Sequence, residues 1–159
     1  MNENIFSHIV DDQAGMVDIS NKRTTLRQAQ ARGRVKIPAK LREQLSKSSQ
    51  VNQKGPVFQT AILAGTMAVK NTAQLIPLCH NISLSSIKFD ISLKDCVIEI
   101  NCFVKTQANT GVEMEALTGV SVAALTIFDM CKSISSEIVI EDIHVVKKTG
   151  GKHDYTAKT

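Results

Sequence analysis

An acid and an amine three residues apart are the clearest candidates for chemistry in this 159-residue sequence. Asp129 and Lys132 end a long apolar segment with helical character, and side chains spaced by three residues meet on one face of a helix. At about 100° per residue, Glu115 near the start of the same segment falls on the same stripe. A carboxylate and an ammonium group on a rigid support could transfer protons. The same pair could equally be a structural ion pair that faces a partner helix or solvent.

A second candidate lies in Pro77–Asn81, which joins a helical segment to a strand. His80 in this loop has a reference pKa near 6.5, which suits proton transfer at neutral pH. The alternative is a loop histidine that is hydrogen-bonded to the main chain. Adjacent Cys79 and His80 cannot easily share one metal ion, and no cysteine pair has the short CxxC spacing. We therefore expect no metal and no cofactor.

Cationic residues gather in three further places. They are Lys22, Arg23 and Arg27 near the N-terminus, Lys54 beside Gly55, and Lys147, Lys148 and Lys152 around Thr149-Gly150-Gly151. A Gly-Gly pair flanked by lysines can bring main-chain N–H groups and ammonium charge to a phosphate, although this is not a Walker A loop. Each group alone could be a solvated surface patch, but together they predict a small polyanionic ligand.

The composition narrows the class of protein. Apolar residues make up 43% of the chain and charged residues 21%, which is typical of one globular domain. A net charge of +4, with five Phe, one Tyr and no Trp, argues against nucleic acid as a partner. No apolar run lacks charged residues for long enough to predict a membrane partner, and nothing resembles a secretory signal. We expect a cytoplasmic protein with reduced cysteines.

The elements that must position these residues follow from periodicity. The predicted order begins with a weakly patterned strand (24–35), a short helix that becomes a loop (39–53) and a helix (57–75). Two alternating strands follow (87–94 and 96–102), joined near Lys94-Asp95. The order ends with a long helix (112–135), which is apolar on nearly every side and therefore buried, and a strand (138–146) that is kinked at Glu141-Asp142. This order predicts an α+β, ferredoxin-like βαββαβ fold, with an antiparallel sheet and two long helices packed on one face. We expect a single catalytic domain over 16–154, with flexible segments at 1–15 and 155–159.

Several sequence motifs, which we call strings, point to a function more specifically than the physical chemistry of their residues does. They are Pro77-Leu78-Cys79-His80, Thr110-Gly111-Val112-Glu113-Met114-Glu115-Ala116-Leu117-Thr118, Phe128-Asp129-Met130-Cys131-Lys132, Met16-Val17-Asp18-Ile19-Ser20, Lys54-Gly55 and Lys148-Thr149-Gly150-Gly151-Lys152. From about Met16 to Asp154 the chain closely resembles the molybdenum cofactor biosynthesis protein C family, the cyclic pyranopterin monophosphate synthases.

The resemblance implies a reaction and an assembly. The expected enzyme is a lyase that converts a cyclised dihydroguanosine triphosphate into cyclic pyranopterin monophosphate and pyrophosphate. The upstream radical S-adenosylmethionine cyclase supplies that substrate. The family has a ferredoxin-like fold and forms homohexamers, as trimers of dimers, with sites at the subunit interfaces. Residues that lie far apart in one chain can therefore converge from two chains.

Matching positions imply the roles of single residues. The expected catalytic residues are Asp129, Lys132, Lys54 and His80. The expected substrate-binding residues are Leu78, Cys79, His80, Glu113, Met114, Glu115, Arg27, Lys22, Lys148 and Lys152. Acids and bases of these types suit the ring rearrangement, and the cations suit the intramolecular phosphoryl transfer.

The sequence departs from the family in two places. Asn109 stands where a lysine commonly precedes the Thr-Gly-Val-Glu-Met-Glu string, and Asn71 stands where a basic residue often follows Lys70. We expect these changes to affect substrate affinity more than activity.

Two other functions fit parts of the sequence. A non-catalytic regulatory domain could hold a nucleotide with the same cations. A ferredoxin-like nucleic-acid-binding module would need aromatic residues on its central strands, and the sequence offers only Phe103 in a suitable place.

Overall fold

The computed structural model describes residues 8–10, 13–48 and 55–158. In chain order the elements are β1 (Ile9–Val10), β2 (Gln13–Ala14), β3 (Thr25–Lys36), α1 (Ala39–Ser48), α2 (Pro56–Lys70), α3 (Thr72–Leu75), β4 (Ser86–Lys94), β5 (Val97–Ala108), α4 (Glu113–Cys131), β6 (Val139–Thr149) and β7 (Tyr155–Thr156). Lys54 lies outside the described residues.

One antiparallel sheet organises the chain. Its strand order is β4–β5–β3–β6–β7, and β3 pairs with β5 along its whole length, from Thr25 opposite Ala108 to Lys36 opposite Val97. The predicted hairpin between β4 and β5 is confirmed, and Asp95 in its turn has a φ of 52°. The α+β class is also confirmed, while the ferredoxin-like assignment stays an interpretation of the element order.

The small side chains of β3 explain why its sequence pattern is weak. Ala29, Ala31, Gly33 and Val35 are buried on the face that packs against α4. A Cβ on Gly33 would lie 2.5 Å from Cγ1 of Val120, so α4 approaches this strand more closely than larger side chains would allow. The core face of the strand is therefore built from residues that carry little hydrophobic signal.

Glycines also bring α2 and α4 together on the sheet. A Cβ on Gly65 would lie 2.9 Å from the carbonyl oxygen of Gly119, so the two main chains are nearly in contact.

The prediction of one helix over 57–75 is wrong at Asn71, where φ is −106° and ψ is 13° and the helix divides into α2 and α3. Asn71 donates its main-chain N–H to carbonyls of the last turn of α2, which ends that helix.

Strand β6 is kinked as predicted. Asp142 has a φ of 57°, and the register between β3 and β6 shifts between Arg32 and Arg34. An extra residue on one strand of an antiparallel pair produces such a bulge and increases the local twist. Beyond β6, β7 pairs with Lys147 and Lys148, so residues 155 and 156 of the predicted tail extend the sheet.

Helix α4 is long and apolar enough to cross a membrane, a test that core helices of soluble proteins also meet. It packs against β3, β5, β6 and α2, and nine of its nineteen residues are buried. The prediction that it is buried on nearly every side is wrong for its C-terminal half. There Leu125 is 58% exposed and Met130 is 38% exposed, because no element of the same chain covers this face within the described residues.

Candidate functional site

Two adjoining pockets lie at the N-terminal end of α4 and share Gly111 and Glu113. The first, which we call the His80 pocket, encloses about 380 Å³ and is lined by His8, Val17, Ile19, Lys22, Leu78, Cys79, His80, Thr110, Gly111, Glu113, Met114 and Glu115. The second, which we call the cation pocket, encloses about 170 Å³ and is lined by Arg27, Gln28, Gly111, Glu113, Lys148, Thr149, Gly151, Lys152 and His153. Ten of the thirteen predicted site residues line one or both pockets.

Glu113 forms the boundary between the pockets. Its carboxylate lies 3.0 Å from Nζ of Lys148 and folds back over Gly111, where a Cβ would collide with it. The carboxylate stands in the first turn of α4, at the positive end of the helix dipole. One ion pair therefore connects the acidic wall of the His80 pocket to the lysines of the cation pocket.

The second acid of the first turn is buried. Glu115 is only 5% exposed, and burial raises its pKa above the ordinary value, with the charge of Glu113 acting in the same direction. Burial and the charge of Glu115 also raise the pKa of the Cys79 thiol. Glu115 is thus suited to hold or release a proton, whereas Cys79 is a protonated thiol and a poor nucleophile.

The imidazole of His80 is bonded to the main chain. Its Nε2 lies 2.8 Å from the carbonyl oxygen of Val17, which is the alternative that the sequence left open. Because a carbonyl oxygen only accepts hydrogen bonds, Nε2 carries the proton and Nδ1 remains for acid–base chemistry. The contact also joins the loop after α3 to the N-terminal wall of the pocket.

The loop of Gly150 and Gly151 is fixed at both ends. Gly150 has a φ of 85°, and its N–H donates to Oδ1 of Asp154 at 3.0 Å, while its carbonyl accepts from Oγ1 of Thr25 at 2.7 Å. Arg27 donates from Nε to the carbonyl of Ala108 at 3.3 Å, which directs its guanidinium along the same wall. These bonds fix the main chain of Gly150 and the guanidinium of Arg27. Together with the ion pair of Lys148, they give the pocket two cations at defined positions, as binding of a polyphosphate requires.

Asp129 and Lys132 lie at the opposite end of α4 from the pockets. Their ion pair is confirmed, with Nζ of Lys132 2.6 Å from Oδ1 of Asp129, but the two side chains are 57% and 71% exposed. Sixteen residues separate Glu113 from Asp129 along the helix, which corresponds to about 24 Å. A single chain therefore does not bring this pair to the pockets.

Sequence reasoning missed several lining residues. His8 falls in the segment that was predicted to be flexible, and Gln28 and His153 carry no motif of their own. Thr110 and Thr149 stand inside strings that were recognised, so their neighbours could have identified them. The four cysteines are free thiols, and among the described residues no three His, Cys, Asp or Glu side chains are placed to hold a metal ion.

Comparison of the sequence with known proteins identifies relatives of this chain. Residues 16–151 match the model of the MoaC family. The chain is 52% identical to a molybdenum cofactor biosynthesis bifunctional protein of Synechocystis sp. and 44% identical to molybdenum cofactor biosynthesis protein 1 of Dictyostelium discoideum. These matches cover 94% and 96% of this chain but only 45% and 27% of those longer relatives. A cyclic pyranopterin monophosphate synthase of Clostridium acetobutylicum is 46% identical, over 93% of this chain and 92% of the relative.

Proposed function

The chain belongs to the MoaC family, and from this premise we propose that it is a cyclic pyranopterin monophosphate synthase of molybdenum cofactor biosynthesis. The substrate is a cyclised dihydroguanosine triphosphate, and the products are cyclic pyranopterin monophosphate and pyrophosphate. The observation that carries the proposal is the shared Glu113, which joins a pocket that contains acid–base groups to a pocket lined by cations.

The two pockets divide the substrate between them. The cation pocket binds the triphosphate, where Arg27, Lys148 and Lys152 stabilise the charge that develops on the departing pyrophosphate. The His80 pocket binds the ring system, where Glu115 and His80 exchange protons with the rearranging rings. Fixed positions for both halves favour attack by the ribose hydroxyl on the nearest phosphate, because the reacting atoms are held together.

A second chain completes the site in this proposal. Glu115 and Asp129 each lie seven residues from Val122, which is about 10 Å along α4. If two α4 helices pack antiparallel about a two-fold axis near Val122, Asp129 of the partner subunit comes to lie opposite Glu115. Asp129 and Lys132 then reach the pocket of the other chain.

Exposed apolar residues support such pairing. Leu63 and Met67 on α2 are 63% and 56% exposed, and Leu125 on α4 is 58% exposed. Large apolar side chains grouped on one helical layer are typical of an interface between subunits. We propose that three such pairs form the homohexamer expected from the resemblance, and that the enzyme acts in the cytoplasm after the radical cyclase that makes its substrate.

A turnover assay tests the proposal. Purified chain is mixed with the cyclised nucleotide in the presence of a chelator, and pyrophosphate and pterin fluorescence are followed. We expect both products in the wild-type chain. Lys148→Ala should lose most of this activity, whereas the matched variant Lys147→Ala should keep it, because Lys147 lies outside both pockets, on the opposite face of β6.

The regulatory domain is the competing function. Tight binding of the nucleotide without release of pyrophosphate, at any protein concentration, would refute the synthase and support that alternative. If the chain shows neither binding nor turnover, both functions are refuted.

A further inference from the structure

Residues 16–24, which we call the strap, form one wall of the His80 pocket without belonging to a helix or strand. Val17, Ile19 and Lys22 contribute this wall. Internal hydrogen bonds shape the strap, from the N–H of Ser20 to Asp18 and from the N–H of Lys22 to the carbonyl of Ile19. Within the described residues, no hydrogen bond between main-chain atoms joins the strap to the rest of the protein.

Two side chains make the hydrogen bonds that do join it. The Oδ1 atom of Asn109 accepts from Oγ1 of Thr24 at 2.5 Å, and Nδ2 of Asn109 donates to the carbonyl of Ile19 at 3.3 Å. His80 bonds to the carbonyl of Val17, as described above. In the described part of the chain, every hydrogen bond from the strap to another element therefore ends on Asn109 or His80.

The chemistry of the amide suits this position. Asn carries an acceptor and a donor on one short side chain, so it can satisfy a hydroxyl and a carbonyl of the same segment at once. A lysine has donors only and could not accept from Thr24. The sequence predicted that Asn109 matters as a missing cation, whereas the structure gives its amide a bridging contact that a cation could not make.

Asn109 also connects the two pockets. It follows the last residue of β5, and its carbonyl oxygen accepts from Nη2 of Arg27 at 3.4 Å. One residue thus contacts the strap with its side chain and a cation of the neighbouring pocket with its main chain.

We propose that Asn109 is a positioning residue for the reaction. It holds the strap, and with it Lys22, against the His80 pocket before substrate arrives. Substrate binding then does not carry the entropic cost of ordering the nine residues of the strap, so Asn109 lowers KM. Other residues carry out the chemical step, so Asn109 has little effect on kcat. This inference rests on the proposed synthase function for its kinetic part only.

The test combines kinetics with hydrogen exchange of the strap. For Asn109→Ala we expect faster amide exchange in residues 16–24 and a rise of about tenfold in KM, with kcat changed by less than about twofold. Thr24→Val removes one of the two bonds at nearly constant shape and should give a smaller effect. The double variant should be no worse than Asn109→Ala, because both changes break the same contact.

Gln74→Ala is the control. Gln74 is an exposed amide residue of α3 that lines neither pocket, and its side chain makes no hydrogen bond within the described residues. Neither the KM nor the exchange of the strap should change in this variant.

Distinct outcomes separate the inference from the function on which it rests. Unchanged exchange in Asn109→Ala would overturn the holding role, and a fall in kcat at constant KM would overturn the positioning role. A wild-type chain without turnover would refute the proposed function, and the exchange of the strap would still decide whether Asn109 holds it.

Discussion

Two chains that are each inactive should restore activity when they are mixed. The first carries Asp129→Ala and keeps its pockets, and the second carries Lys148→Ala and keeps the far end of α4. About 24 Å of helix separates Asp129 from the pockets of its own chain, so under the proposed function a neighbouring chain supplies that residue to each site. In a mixed pair one site receives both damaged residues and the other receives neither.

The expected recovery follows from counting pairs. Random pairing of equal amounts makes about half of the pairs mixed, and each mixed pair has one intact site, so about one quarter of all sites are wild type. The assay is pyrophosphate release per chain after the subunits have been exchanged, with native mass spectrometry to show that mixed assemblies have formed. Each variant alone gives the baseline.

A second mixture provides the control. A chain with both Asp129→Ala and Lys148→Ala is mixed with wild-type chain in equal amounts. If sites are shared, every site of a mixed pair is damaged and about one quarter of the sites remain active, whereas chains with complete sites of their own would keep about half. No recovery in the first mixture together with half activity in the second, once mixed assemblies are detected, would refute the shared site.

Three further predictions concern single residues. Gly119→Ala would place a Cβ 2.5 Å from Cγ2 of Val69, so we expect the free energy of unfolding in urea to fall by about 1–3 kcal/mol. An unchanged midpoint would show that α2 and α4 can separate without cost. The pKa of Glu115 is raised in the folded chain, so its contribution to stability is present below the unfolded pKa and is lost as pH rises through the folded pKa. Glu115→Gln should therefore stabilise the chain more at pH 7 than at pH 4, and a gain that is the same at both pH values would contradict the burial argument. Gly150→Ala should raise KM by about tenfold or more, because φ is 85° and a Cβ would collide with a main-chain carbonyl of β3, whereas Gly15→Ala, with open space around its Cα, should leave KM unchanged.

Periodicity predicted the elements whose faces differ in polarity. The alternation of β4 and β5 predicted their hairpin, and the kink of β6 was visible where the apolar parity shifts at Asp142. β3 gave a weak signal because three of the four residues on its buried face are alanine or glycine. The division of the helix at Asn71 gave no signal in the sequence, because asparagine is only modestly unfavourable in the interior of a helix.

The strings predicted which residues lie together at the site but not the hydrogen bonds that fix their positions. His80 and Glu115 were expected in one pocket and lie there. The bond from His80 to Val17 and the bridge from Asn109 to the strap could not be predicted. Both join segments more than sixty residues apart, and neither depends on periodicity or on a motif.

The position of the acids on α4 has a consequence for the chemistry of a shared site. Glu115 is buried at one end of the helix, which raises its pKa, while Asp129 is exposed at the other end beside Lys132. An antiparallel pairing about Val122 would bring the carboxylate of Asp129 from the partner subunit towards Glu115, and two close carboxylates cannot both ionise easily. The proton would then belong to the pair, with Lys132 of the partner subunit offsetting the remaining negative charge. The proposed assembly would thus create an acid–base group that neither chain has alone, which is a physical reason why a shared site would take one half from each end of the helix.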